Sequence, residues 1–172
     1  MNPLIEEILA RQLRSLRRIH AVILVLVLVM CAGAILIESP SLGFASPVTL
    51  TWLEVVLALL GIALVAIIIP LSRRRLLNPD MVRRAKSDTL QAWGVPQEID
   101  PTIGRQAIFL TRYTAGCVIT WGLGASVGLY GLIARLIGSS AAVTAGFLAL
   151  AIFVLVLLPP RADRAREALN GL

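Results

Sequence analysis

The chain has 172 residues, of which 58% are apolar and 15% charged, with a formal net charge of +6 and a mean hydropathy of +0.85. Soluble globular chains average roughly 45–50% apolar and about 25% charged residues, so this chain has too few polar residues to cover a water-facing surface. The apolar residues gather in runs of bilayer length. This excludes the soluble, disordered, disulfide-rich and collagen-like classes and points to an all-α, polytopic membrane protein.

In chain order, residues 1–19 form an amphipathic segment. Leu4, Ile5, Ile8, Leu9, Leu13 and Leu16 recur every three or four positions, with Arg11, Arg14 and Arg18 on the other face. This predicts a helix that either lies on the inner leaflet or continues into the first span. The first span is predicted over 20–37 and the second over 51–71, each near the roughly 20 apolar residues that cross a bilayer. Arginines, an apolar run and Ala32-Gly33-Ala34 also resemble a cleavable signal peptide. Apolar residues continuing to Ile37 favour a retained span instead.

Residues 72–106 form a basic loop with a second short amphipathic helix, capped by Asn78, started by Pro79 and stopped by Gly94. Met81, Val82, Ala85, Ala92 and Trp93 would meet lipid or protein there, and 95–102 (VPQEIDPT) reads as a connector. The third span lies between Arg112 and Arg135, whose 22 intervening residues make a helix of about 33 Å. Both guanidinium groups can then reach the interfaces. The fourth span is predicted over 141–158, and 161–172 is a polar tail.

Fifteen of the sixteen basic residues flank the inner ends of these spans, and Arg135 alone lies on the other side. The positive-inside rule then places both termini and the long loop in the cytoplasm. The expected architecture is four transmembrane helices in two hairpins, 20–71 and 107–160, with interfacial helices beside them. Shifted by 94 positions, Arg11-Gln12, Leu16, Arg18 and Ala21 align with Arg105-Gln106, Leu110, Arg112 and Ala115. The halves are thus either a parallel duplication or a chance likeness. Fifteen arginines against one lysine suggest a GC-rich genome and a bacterial inner membrane.

Few residues are candidates for chemistry. Glu54, Arg112 and Arg135 are the intramembrane charge candidates. Glu54 is expected to pair with Arg135 or, alternatively, to serve a proton or ion relay, and Arg112 is expected to anchor the inner interface. His20 is the only histidine, and Cys31 and Cys117 are too few for a zinc site. No cofactor or metal is expected. Without a second intramembrane carboxylate, a Ser-His-Asp set or an H-E-x-x-H pattern, no enzyme is expected either. Arg73, Arg74, Arg75, Arg83, Arg84 and Lys86 would contact anionic headgroups on the cytoplasmic side rather than nucleic acid.

The third span carries Gly116, Thr120, Gly124, Gly128 and Gly131, and the fourth carries Ala141, Ala145 and Ala149. Such small-residue stripes allow close backbone approach, within the chain or with another copy or subunit. Residues 121–133 (WGLGASVGLYGLI) resemble the ion-carrying helix of rotary ATPase proteolipids, where Ala-Leu-Ala-Glu precedes a Tyr-Gly-Leu-like run. Ala125 stands where that family has its ion-binding carboxylate. The family's polar loop also faces the cytoplasm, opposite to the orientation inferred here. The resemblance therefore implies a non-translocating relative. The expected role is a non-catalytic subunit or assembly factor of a membrane complex. The alternative is a small oligomeric ion, proton or solute transporter using Glu54.

Overall fold

The computed structural model describes residues 3–36, 47–76, 78–85 and 99–172. Among these the structure is helical and contains no strand. Helix α1 is Pro3–Leu36, α2 is Pro47–Ala63, α3 is Ile69–Leu76, α4 is Pro79–Arg83, α5 is Pro101–Leu136, α6 is Ala141–Leu157 and α7 is Ala162–Asn170. A π-helical segment, Leu64–Ile68, joins α2 to α3 without a break. Three helices are long and apolar enough to cross a membrane, with spans Ile5–Leu36, Thr51–Leu71 and Pro101–Leu136, and Ala141–Leu157 is a shorter apolar helix.

The helix boundaries follow from local chemistry. Asn78 caps α4, its side-chain oxygen accepting from the Asp80 amide at 3.0 Å, and Pro79 occupies the first helical position. The predicted continuation of this helix to Gly94, with Ala92 and Trp93, lies outside the described residues. Asp100 caps α5 in the same way, accepting from Thr102 at 2.7 Å. The helix therefore starts inside the predicted connector and reaches 36 residues, longer than the expected span.

Pro70 explains the π segment. It has no amide to donate to Ala66 and its ring crowds that carbonyl. The Ile69 amide bonds Leu64 across the wider turn instead, and the helix continues past the proline. The α5–α6 turn is a Schellman closure: Ser139 N–H donates to Ala134 at 3.0 Å and Gly138 N–H to Arg135 at 3.1 Å. Gly138 takes φ 98°, a conformation that other residues rarely adopt. Ser140 then caps α6 through the Val143 amide.

The chain divides into two compact units. The first comprises Met1–Arg18, Ser72–Ile119 and Pro160–Leu172, and the second Ile19–Leu71 and Thr120–Pro159.

In the first unit, Ile5, Leu9, Leu13 and Leu16 of α1 are 7% exposed or less and share a core with Phe109, Leu110 and Tyr113 of α5, Val82 of α4, and Ala165 and Leu169 of α7. Burying each large side chain contributes roughly 1.5–3 kcal/mol. The α1 stripe is thus covered by protein. Of the two sequence alternatives, the helix continues without interruption, and its N-terminal apolar face is buried at Ile5, Leu9, Leu13 and Leu16 while Ile8 is exposed.

Residues 161–172 are likewise a docked helix. The Gln106 amide donates to the Leu169 carbonyl at 3.2 Å, and the Tyr113 hydroxyl bonds both the carbonyl and the amide of Arg161 at 3.0 Å. Residues seven apart on α5 therefore hold the two ends of α7, which fixes the helices antiparallel. On another side of α5, Arg105 donates to the Ala85 carbonyl at 3.2 Å and Arg112 to the Met81 sulfur at 3.2 Å.

In the second unit, residues 19–36 of α1, α2, residues 120–136 of α5, and α6 pack around Val27, Trp121, Val127, Ala134, Ala151 and Leu155, all at most 1% exposed.

Candidate functional site

The small residues of α5 form its closest seam with α6. A Cβ built on Gly124 would lie 3.0 Å from Val154, one on Gly128 3.3 Å from Ala151, and one on Gly131 2.8 Å from Phe147 and 3.1 Å from the Thr144 carbonyl. As α5 numbers rise, the α6 partners fall, so the two helices run antiparallel at near backbone contact. Gly128 also faces Val27 of α1 at 3.6 Å. Thr120 is buried in the second unit and Gly116 in the first.

Ala141, Ala145 and Ala149 do not line this seam. All three are exposed, and α6 meets α5 through Thr144, Phe147, Leu148, Ala151, Val154 and Leu155. The reason is steric. Glycines on α5 already supply the close approach, so larger α6 side chains fill the seam and the alanine row turns away.

His20 gains a clear structural role. Its Nε2 lies 3.0 Å from the Leu155 carbonyl, and its ring tilts against Trp121 with centroids 4.8 Å apart. Since a carbonyl only accepts, Nε2 carries the proton in this contact. The partner of Leu155 in a continuing helix would be the amide of residue 159, which is proline. His20 therefore supplies the bond that Pro159 cannot make. Next to it, Trp121 Nε1 donates to the Leu158 carbonyl at 2.7 Å. Two side chains from other helices thus satisfy the orphaned end of α6. The Pro159-Pro160 pair was the sequence signal for this need, but only the fold identifies the donors.

The charge candidates fall in both units. Glu54 is half-buried on α2, in the same unit as Arg135. Arg135 Nη1 points to the Ser139 carbonyl at 3.5 Å, closing its own helix. Arg112 belongs to the first unit and contacts α4, where the sequence predicted an interface anchor. Arg74, Arg83 and Arg84 are exposed. The side chains of Arg73, Arg75 and Lys86 lie outside those described.

Cys31 and Cys117 form no disulfide and lie in different units. Among the described residues no cluster of His, Cys, Asp or Glu could hold a metal ion. Comparison with protein families, curated proteins and solved structures finds no match.

Proposed function

We propose that the chain is a four-span membrane protein with a folded cytoplasmic unit, acting as a non-catalytic subunit or assembly factor of a larger inner-membrane complex. One observation carries the reading: among the described residues, twenty-three of the twenty-seven exposed large hydrophobic residues lie in the second unit. The first unit has the opposite polarity, with buried leucines and exposed Glu6, Glu7, Arg11, Arg14, Arg17 and Arg18 on α1. Such a partition suits lipid around one unit and water around the other.

The composition of the first unit also supports four crossings and two transmembrane hairpins. It gathers segments before the first span, between the second and third, and after the fourth. With three crossings, α7 would stand across the bilayer from Gln106 and Tyr113, which bind it. Helix α6, at 17 residues and about 25 Å, is at the short end of the range that spans a bilayer. The exposed Arg74, Arg83 and Arg84 suit anionic headgroups or an acidic partner surface. The likeness of 121–133 to proteolipid helices, with Ala125 in place of a carboxylate, agrees with a role that moves no ion.

Gentle detergent purification tests the role. Stoichiometric co-purification of other membrane polypeptides is expected, and a homo-oligomer that conducts ions in liposomes would overturn it. Transport is the second reading, favoured by Glu54, half-buried on a helix long and apolar enough to cross a membrane. Flux that survives Glu54→Gln would remove Glu54 as its carrier.

A further inference from the structure

Near the α5–α6 turn, a groove of about 410 Å³ opens between α1, α5 and α6 in the second unit. Small-molecule sites commonly fall between about 300 and 1,000 Å³. The walls are mainly apolar, with Ala34 and Ile35 from α1 and Ala145, Leu148 and Ile152 from α6. The exposed alanine row creates this space, because short side chains on α6 leave it unfilled.

Two polar groups break the apolar lining. Thr144 is 4% exposed, and its hydroxyl has no hydrogen-bond partner among the described residues, an unfavourable state in apolar surroundings. Arg135 also lines the groove and is the only lysine or arginine in the second unit. A guanidinium group has five N–H donors, so it can hold the Ser139 carbonyl and an acidic oxygen pair together.

We propose that this groove binds an acyl chain of an anionic phospholipid, with the phosphate held by Arg135. A free anion would gain nothing from the apolar walls, and an uncharged lipid nothing from the guanidinium. Only an acidic amphiphile uses both. The site rests on the reading that the second unit lies in the bilayer.

The test uses the full chain in a mild non-ionic detergent, with bound phosphatidylglycerol or phosphatidylcholine counted by native mass spectrometry. A preference of about tenfold for phosphatidylglycerol is expected, lost in Arg135→Gln and partly kept in Arg135→Lys. Ala145→Trp, which fills the groove, should displace the tightly held lipid, while Arg166→Gln, an exposed arginine of α7, should not. Thermal unfolding before lipid addition establishes that each variant is folded. Undiminished preference in Arg135→Gln, or its loss in Arg166→Gln, overturns the site. So does a cross-linked dimer that Ala145→Trp abolishes without any lipid being retained. A chain that stays monodisperse without detergent would instead defeat the bilayer reading itself, an outcome separate from a detergent-requiring chain that ignores headgroup charge.

Discussion

His20 and Trp121 act on backbone atoms rather than on a substrate. Pro159 and Pro160 deprive the Leu155 and Val156 carbonyls of the amides that a continuing helix would supply, and a buried acceptor left unmade costs about 1–3 kcal/mol. His20→Ala should therefore lower stability in detergent by that amount, read from the thermal midpoint. Pro159→Ala restores a backbone donor at the position that Leu155 lacks. The double variant should be less destabilised than His20→Ala alone, and equal losses would mean the histidine matters only for packing. Trp121→Phe keeps most of the ring contact but loses the 2.7 Å bond to Leu158. Its loss of stability should fall in the same range.

Helix packing in the second unit depends on where a methyl group can be accommodated. Gly131→Ala meets the Phe147 Cβ and a carbonyl oxygen, neither of which can swing aside, and should cost about 1–3 kcal/mol. Gly124→Ala meets the Val154 methyl at 3.0 Å and should cost less, and Gly128→Ala less again. Gly122 and Gly146 have nothing within 4 Å, so alanine there should be neutral or slightly stabilising. A melting series across these five variants checks the order, and uniform effects would show that the seam is not in close contact. The same span was legible in sequence as a small-residue stripe on α5. Which face of α6 meets α5 was not legible, because spacing alone does not reveal which face of a uniformly apolar helix meets its neighbour.

At the scale of the molecule, the two units place their apolar residues in opposite ways. Leu16→Ala should destabilise by about 2–5 kcal/mol, since Leu16 is 1% exposed in a protein core. A helix lying on lipid would lose much less. In a chain with Cys31 and Cys117 replaced by alanine, cysteines at Glu7 and Glu167 should react with an impermeant thiol reagent only from the cytoplasmic side. Cysteines at Val25 and Leu59, exposed on the second unit, should resist it. Reaction of the Glu167 position from outside intact cells would break the four-crossing topology. Helices α1 and α5 each contribute residues to both units, amphipathic first and apolar after.

Composition and hydropathy were enough to establish an all-helical chain with membrane-length helices, because an apolar run of that length has few stable alternatives. The caps at Asn78 and Ser140 were equally local, set by side chains within three residues of the amides they bind. Tertiary structure alone decided that the α1 stripe is covered, that α7 docks on Gln106 and Tyr113, and that His20 and Trp121 bind the end of α6. Each of these depends on contacts between residues distant in the chain, and one-dimensional periodicity carries no information about which partner arrives. An amphipathic face requires burial, but whether lipid or a neighbouring helix provides it is settled only when the chain has folded.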